Sequence, residues 1–330
     1  MIRKILSLVT AVCIAVVASG CTKNTAMNTR YFFAMDTYIE ITADCDDEVF
    51  RKIETEVLRI DKVFDAYSTD SELHKINQNS GGKNAEIAQL SAQSNDISKA
   101  TDGYFDVTLF NVTNLWSIGD KNYLPTDTEI DDALLKSGYE NLTANGDTVT
   151  LKNGAKLNFG AIAKGYASDK IANIARDNGV KNAIFSLGGN VVLIGNKNGD
   201  GYSVGIADPN APDTSTVGSI NGLSDCFAVT SGGYQRYFEK DGVRYSHIFG
   251  RGGRPAQSGL LSVTVVASSG TVADAYSTAL YAMGLEKSLE FYSHNGGFEA
   301  VFVTDNFEVY VTDGLKNNFT LQNGEYSLCD

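Results

Sequence analysis

The segment LLSVTVVASSGTVADAYSTALYAMG, residues 260–284, carries two secondary-structure patterns in succession. It begins with a run of aliphatic and β-branched residues, which is typical of a buried strand. After the small residues 268–270, apolar residues recur at helical spacing, which predicts a helix over residues 271–283. A buried strand that leads directly into a helix is therefore the unit around which the fold is predicted.

The rest of the chain mixes the same two patterns. Helical spacing recurs over residues 46–67, 91–103, 124–138, 164–180 and 286–293. The strand patterns between them are separated by turns at Gly188-Gly189, Gly232-Gly233 and Asp241-Gly242, and a hairpin is predicted around Asn153-Gly154. Helices mixed with strands that are mostly linked by hairpins predict an α+β fold with mixed, largely antiparallel sheets and packed helices.

The first residues, MIRKILSLVTAVCIAVVASGC (1–21), have the order of a secretory signal rather than of a membrane-spanning helix. A basic pair, Arg3 and Lys4, precedes an apolar run, and small residues precede Cys21. This ending is typical of bacterial lipoproteins, although Ala18 stands where leucine is usual. The sequence predicts a lipoprotein signal peptide at 1–20, a lipid on Cys21, a polar tether at 21–29 and one domain at 30–330. The protein is then expected at a cell membrane, lipid-anchored and facing the extracytoplasmic side.

Composition excludes several classes of function. The chain has 27 Lys and Arg against 40 Asp and Glu, a formal net charge of −13, so a nucleic-acid partner is not expected. On so acidic a chain, an anionic ligand would need a local source of positive charge, such as a helix N-terminus, a metal ion or a single cationic side chain. After the signal and Cys21, the widely spaced Cys45, Cys226 and Cys329 indicate neither a disulfide framework nor a zinc site.

The predicted helix over residues 271–283 carries polar groups in its first turns. Asp274 and Thr278 are four residues apart and thus share one face, with Ser277 beside them. A carboxylate with hydroxyl oxygens offers the hard oxygen ligands that Mg²⁺ prefers. The alternative is structural: Asp274 caps the helix and Thr278 bonds back to a carbonyl.

Two further stretches contain candidate groups for chemistry. The first, LNFGAIAKGYASDKIA (157–172), predicts a strand, a glycine turn and a helix that begins near Lys164. Such a junction can bind a phosphate group through backbone N–H groups and the lysine, or it can simply pack the helix on the sheet. Among only three histidines, His247 lies at a strand end before a glycine-rich turn, where it is either a general base or a structural residue.

Taken in order, these segments closely resemble the ApbE family of Mg²⁺-dependent FAD:protein FMN transferases. The resemblance covers nearly all of the chain after the signal. It rests on AMDTYIEI (34–41), AYSTDSELHKIN (66–77), DGYFDVT (102–108), NFGAIAKGYASDKIA (158–172), FSLGGNVVLIG (185–195), VGIADP (204–209), TSGGYQRYF (230–238), YSHI (245–248) and SVTVVASSGTVADAYSTAL (262–280).

The resemblance implies a fold, a reaction and a set of site residues. The fold would be a T-fold-like, two-lobed unit with FAD in the cleft. The reaction would move FMN from FAD, as substrate, onto a threonine hydroxyl of an extracytoplasmic flavoprotein, such as a domain of a membrane redox complex, with release of AMP. Mg²⁺ would be held by Asp274, Thr278 and Ser277 with a backbone carbonyl near Ala161, and His247 would be the catalytic base.

By the same resemblance, further residues are expected to contact FAD. Met35 and Tyr67 would pack on the flavin side. The remaining expected contacts line the cleft or lie near the pyrophosphate: Tyr104, Phe105, Asp106, Asn158, Lys164 and Phe249.

Two departures from the family pattern bear on this interpretation. The usual HIxDPxTGxP is HIFGRGGRP here (247–255), which lacks the Asp-Pro pair and is one residue shorter. Its two arginines could meet the pyrophosphate or an acidic partner instead. In addition, Asn158 stands where many members have aspartate.

Two other functions use the same residues. A Mg²⁺-dependent FAD pyrophosphatase would let water attack in place of the threonine and release FMN and AMP. A lipoprotein that binds FAD without chemistry would not need the Asp274/Thr278 pair.

Overall fold

The computed structural model describes residues 27–329, which form eight α-helices and seventeen strands. The helices are α1 (Asp47–Phe64), α2 (Glu72–Gln78), α3 (Ala85–Ala100), α4 (Phe110–Trp116), α5 (Asp127–Leu134), α6 (Ala163–Asp177), α7 (Gly270–Met283) and α8 (Leu285–Asn295). The strands are β1 (Asn28–Ala34), β2 (Thr37–Ala43), β3 (Gly81–Lys83), β4 (Leu142–Asn145), β5 (Thr148–Leu151), β6 (Ala183–Leu187), β7 (Asn190–Ile194), β8 (Tyr202–Ala207), β9 (Thr216–Leu223), β10 (Phe227–Gly232), β11 (Tyr237–Lys240), β12 (Val243–Ser246), β13 (Leu260–Ala267), β14 (Phe298–Thr304), β15 (Glu308–Val311), β16 (Phe319–Leu321) and β17 (Ser327–Cys329).

A nine-stranded sheet organises the molecule. Its strand order is β1-β2-β6-β7-β10-β13-β14-β15-β17, and all its pairs are antiparallel except β15 with β17. The predicted buried strand is β13, which pairs with β10 and β14 and therefore lies in the interior of the sheet. The polypeptide passes from β13 directly into α7, as the sequence pattern predicts.

The two faces of the sheet are covered differently. On one face lie α1, α6 and α7, whose apolar sides bury residues such as Ile53, Ile171 and Leu280 completely. On the other face, a three-stranded sheet of order β16-β9-β8 packs its apolar residues on the middle of the large sheet, through residues such as Ile220 and Val301. The burial of apolar surface in both layers is the main driving force for this arrangement.

A smaller apolar cluster, named the second lobe, is separate from the two clusters that pack on the large sheet. It comprises Val112, Trp116, Ile130, Ala133, Phe238 and Phe249 and thus joins α4, α5 and the β11–β12 hairpin. The indole N–H of Trp116 donates to the Gly253 carbonyl at 2.9 Å, which fastens the HIFGRGGRP loop to this lobe.

Most sequence predictions of secondary structure are confirmed, and two need correction. The expected hairpin at Asn153-Gly154 is wrong: both residues form a left-handed turn, but the hairpin partner of β5 is β4, and the turn between them is at Gly146-Asp147. Because β1 begins at Asn28, the last two residues of the expected tether belong to the sheet.

The expected signal peptide and Cys21 lie outside the described residues. Among residues 27–329, no helix has the length and apolar character needed to cross a membrane.

Candidate functional site

The first turns of α6 and α7 meet at two glycines. A Cβ on Gly165 would lie 2.2 Å from the Gly270 carbonyl oxygen, and one on Gly270 would lie 2.7 Å from the Gly165 carbonyl oxygen. Only residues without a side chain permit this approach. Two helix N-termini, each with partial positive charge on N–H groups that lack partners within their own helix, are thereby brought together.

Each helix supplies an aspartate that caps the other. Asp274 of α7 accepts a hydrogen bond from the Gly165 N–H at 2.7 Å through Oδ2. Asp169 of α6 accepts from the N–H groups of Gly270 and Thr271, at 2.7 and 2.9 Å. Asp274 is therefore no cap of its own helix, a role that belongs to Ser269.

The cap on Gly165 releases a backbone carbonyl. In a regular helix the Gly165 N–H would donate to the Ala161 carbonyl, four residues earlier. Here it donates to Asp274 instead, so this carbonyl lacks its usual helical partner. Within residues 27–329, no hydrogen bond engages the second carboxylate oxygen of Asp274, Oδ1. A carboxylate oxygen and a carbonyl oxygen thus remain available at one place.

Hydroxyl groups complete this set of oxygens. Ser231 Oγ on β10 lies 2.8 Å from Ser277 Oγ and 3.3 Å from Thr278 Oγ1, and Ser277 also donates to the Asp274 carbonyl at 2.9 Å. The described part of the chain has no group of three or more His, Cys, Asp or Glu side chains that could hold a metal. One carboxylate with neutral oxygens suits Mg²⁺, which keeps waters and phosphate oxygens in its shell.

His247 follows β12 and is oriented by a backbone carbonyl. Its Nδ1 lies 3.1 Å from the Arg236 carbonyl oxygen. Because a carbonyl only accepts hydrogen bonds, Nδ1 carries the proton and Nε2 keeps a free lone pair. Burial, helped by the charges of Lys164 and Arg236, lowers the pKa of His247 to about 4. The imidazole is therefore neutral at pH 7 and able to accept a proton through Nε2.

We expect the His247 imidazole to titrate near pH 4 in the FAD-free protein, against about 6.5 for a solvated histidine. Its folded-state pKa is depressed, so the unfolded chain binds the proton more readily between these values. The contribution of His247 to stability is then complete above about pH 6.5 and is lost as the pH falls toward 4. NMR titration of the ring protons, assigned with His247→Asn, measures the midpoint. A midpoint at or above 6.5 would contradict a partly buried imidazole that is neutral at pH 7.

Lys164 and Asn158 lie at and just before the N-terminus of α6. Lys164 lies in the first turn of α6 and makes no ion pair with any described residue, so its charge is available to an anion. Asn158 is held in place, since its Oδ1 accepts from the Gly160 N–H at 2.8 Å and its Nδ2 donates to Thr113 Oγ1 at 3.3 Å.

Met35 lies at the tip of the β1–β2 hairpin in a strained turn. Met35 and Asp36 both have positive φ, 53° and 58°, where asparagine and glycine are preferred. The Met35 N–H donates to Asp61 at 3.0 Å, and the Arg236 guanidinium lies 3.5 Å from the Asp36 carboxylate. The hairpin tip is thus tied to the strand-end loop whose carbonyl orients His247.

The expected FAD contacts differ in their exposure. Tyr67 is 59% exposed and packs its ring against Phe110 at 5.4 Å, whereas Phe105 is 1% exposed. The Phe105 ring therefore lies in the core and is not available to contact a ligand.

Its two neighbours are held by polar contacts. Asp106 accepts from the Thr108 N–H and hydroxyl, both at 2.7 Å, while burial raises the pKa of its carboxyl. Tyr104 accepts a hydrogen bond from the Lys287 ammonium at 2.5 Å.

The HIFGRGGRP loop directs its side chains inward or toward carboxylates of the same chain. Phe249 is 8% exposed and packs near Trp116 in the second lobe, so it supports the loop rather than presenting its ring to a ligand. Arg251 pairs with Asp102 at 2.6 Å and Arg254 with Asp127 at 2.7 Å. Both arginines, which could have met the pyrophosphate, are therefore occupied in this structure.

Alanine at Gly165 is expected to destabilise the protein by about 2 kcal/mol, because its Cβ would overlap the Gly270 carbonyl and overpacking costs roughly 1–3 kcal/mol or more. Gly252→Ala is the matched control, since no atom lies within 4 Å of the added Cβ. Urea denaturation of both variants measures the difference. Equal stability of the two would mean that the helices are not in contact at Gly165.

Asp169 and Ser231 belong to this site, and sequence reasoning missed both. Asp169 sits within the quoted motif NFGAIAKGYASDKIA, but its partners lie 101 and 102 residues further along the chain. Ser231 is 46 residues from Ser277. No local pattern indicates either contact.

Comparison with known proteins identifies the family of this chain. The ApbE family model matches residues 35–302. The FAD:protein FMN transferase of Vibrio cholerae is 30% identical over 311 residues, which cover 90% of this chain and 91% of that protein. That of Treponema pallidum is 29% identical over 305 residues, or 86% and 83% of the two chains.

Solved structures are similar over the same extent. The ApbE protein of Thermotoga maritima superposes with a TM-score of 0.81 at 30% identity and covers 89% of this chain and 99% of that one. The flavinyl transferase ApbE of Pseudomonas stutzeri, in its apo form, gives 0.80 at 26% identity, with 90% and 98% covered. The predicted α+β class and the resemblance read from the motifs are confirmed: this chain belongs to the ApbE family.

Proposed function

We propose that this chain transfers FMN from FAD to a threonine hydroxyl of a partner protein, with Mg²⁺ bound at Asp274. The observation that carries the proposal is the free Oδ1 of Asp274 beside the released Ala161 carbonyl, where two helix N-termini meet. The names of the relatives, FAD:protein FMN transferases, support the reaction class.

The residues present fit a magnesium ion and a pyrophosphate. Asp274, Thr278, Ser277 and the Ala161 carbonyl would hold the metal, and Ser231, whose hydroxyl lies 2.8 Å from Ser277 Oγ and 3.3 Å from Thr278 Oγ1, would support both hydroxyls. When bound, Mg²⁺ would offset the negative charge that phosphoryl transfer concentrates at the pyrophosphate. Lys164, in the first turn of α6 beside Gly165, provides further positive charge for the pyrophosphate.

His247 is assigned the proton transfer. Its Nε2 takes the proton of the threonine hydroxyl while the threonine oxygen forms a bond to the phosphorus of the FMN half of FAD. The bond from that phosphorus to the bridging oxygen breaks, and AMP leaves with the electron pair. A neutral imidazole, fixed through Nδ1 by the Arg236 carbonyl, is suited to this role.

Met35 and Tyr67 would pack on the flavin side of FAD, and Tyr104 and Asp106 would line the FAD cleft. The Met35 turn is strained and held from two sides, which is common at ligand-binding positions.

Lipid attachment at Cys21 and an extracytoplasmic location are part of the same proposal. They rest on the signal-like residues 1–21, and the acceptors would then be extracytoplasmic domains of membrane redox proteins. Globomycin treatment of expressing cells tests the lipid: an unprocessed precursor supports it, and normal processing opposes it.

One assay separates the proposed reaction from its rivals. The chain from residue 22 onward, purified beside the full-length protein as control, is incubated with FAD and Mg²⁺, with or without a flavin-acceptor domain. Covalent fluorescence on the acceptor together with AMP release would support the transferase. AMP and free FMN without labelled acceptor would indicate a pyrophosphatase, and bound but uncleaved FAD would indicate a carrier.

A further inference from the structure

Within residues 27–329, no second layer packs on the outer face at the β1–β2 end of the large sheet. The three-stranded sheet β16-β9-β8 packs on the middle strands, and its apolar cluster reaches Ile184 on β6 and Val191 on β7. Neither β1 nor β2 contributes to that cluster. Their opposite face packs on the helices, where Ile39 and Ile41 are 0% and 1% exposed.

Three large aromatic side chains occupy the uncovered face. Tyr31, Phe33 and Tyr38 are 68%, 59% and 79% exposed. Phe33 and Tyr38 are cross-strand partners with ring centroids 5.4 Å apart, and Tyr31 lies opposite Glu40. Tyr31 and Phe33 are two residues apart on β1 and therefore point to the same face, and Tyr38 shares this face because it pairs directly with Phe33. Aromatic side chains in such a cluster are costly to leave in water and are enriched where proteins bind one another.

This aromatic face, defined as Tyr31, Phe33 and Tyr38, is continuous with the candidate site. Tyr38 is two residues from Asp36, whose carboxylate lies 3.5 Å from the Arg236 guanidinium. The Arg236 carbonyl in turn holds His247 at 3.1 Å. A protein whose threonine reaches His247 would extend over the surface next to the hairpin tip.

We propose that the aromatic face is the docking surface for the folded acceptor protein. This inference rests on the proposed function, because only a protein substrate needs a surface beyond the cleft. Charge favours a protein with a basic rim over an anionic membrane: the chain has a net charge of −13, and Glu40 lies within the face. The aromatic rings supply the apolar contact, and Glu40 supplies an acidic neighbour.

The test is a triple variant, Tyr31→Thr, Phe33→Thr and Tyr38→Thr, which keeps strand propensity. Transfer is measured with the folded acceptor domain and with a short peptide of its threonine-bearing loop. We expect KM for the folded domain to rise by at least about tenfold, with KM for the peptide and Kd for FAD within about twofold of the unaltered enzyme.

A matched control removes the same number of exposed apolar side chains elsewhere. Leu58, Leu289 and Leu328, which are 45%, 36% and 54% exposed, are changed to threonine and should leave all three constants unchanged. Unchanged FAD binding in the aromatic variant also establishes that it folds.

The remaining outcomes each overturn the proposal. An unaltered KM for the folded domain removes the docking role, and loss of binding to zwitterionic vesicles in that case assigns the face to a membrane. Loss of a concentration-dependent dimer would assign it to a second copy of the chain. Equal increases for domain and peptide would mean that the variant damages the cleft. If the unaltered enzyme labels no acceptor, the proposed function fails as well.

Discussion

Replacing Asp274 with alanine is expected to reduce flavin transfer by at least about 10³-fold and to abolish the effect of Mg²⁺ on FAD binding. The carboxylate is the only charged group among the proposed metal ligands within residues 27–329, and a bound metal is worth several kcal/mol of transition-state stabilisation. The same side chain caps α6 through the Gly165 N–H, so alanine also removes a buried hydrogen bond.

Asp274→Asn separates the two roles of this residue. Asparagine keeps an oxygen for the Gly165 N–H but has no negative charge for a cation. We expect near-native thermal stability with loss of Mn²⁺ binding, measured by electron paramagnetic resonance, and loss of labelled acceptor. The control is Asp177→Ala, which removes an exposed carboxylate at the end of α6 and should retain both Mn²⁺ binding and flavin transfer to the acceptor. Full activity of Asp274→Asn would exclude the metal role.

The second large effect is expected at His247. Changing it to asparagine should lower the rate of transfer by about 10²–10⁴-fold, the usual contribution of a general base, while the Kd for FAD changes little. Asparagine can still donate to the Arg236 carbonyl, so the backbone around it is expected to persist. AMP release and acceptor fluorescence, followed under single-turnover conditions, measure the chemical step.

His74 offers a matched control for this variant. Its Nδ1 also lies 3.1 Å from a backbone carbonyl, that of Ala66, yet it lies on α2 and not at the candidate site. His74→Asn should therefore transfer flavin normally. A His247→Asn enzyme that keeps more than a tenth of the normal rate would show that another group takes the proton.

The altered HIFGRGGRP loop illustrates where sequence reasoning stops. From the sequence, Arg251 and Arg254 were free to meet a phosphate. The fold instead places Asp102 and Asp127, 149 and 127 residues away, against them. Ion pairs of this exposed kind contribute at most about 1 kcal/mol, so the pairing restricts the arginines without adding much stability.

Phe105 and Phe249 show the same limit for apolar residues. The sequence around an aromatic residue near the expected FAD site is the same whether its ring faces a ligand or the core. Both rings are buried, because the core has room for them and water penalises their exposure.

The sequence by itself determined the local features of this protein. The 3.6-residue period places Asp274 and Thr278 on one face of a helix, the run of β-branched residues marks β13 as buried, and the ordered motifs indicate the ApbE family.

Only the tertiary structure decided how these parts meet. The Gly165 N–H reaches Asp274 across 109 residues, Asp169 caps α7 in return, and Ser231 joins the hydroxyl pair from a separate strand. Such contacts depend on the packing of two elements at once, since a close approach at Gly165 and Gly270 must be sterically possible before either carboxylate can reach its partner. A periodic pattern describes one element at a time and therefore contains no information about that distance.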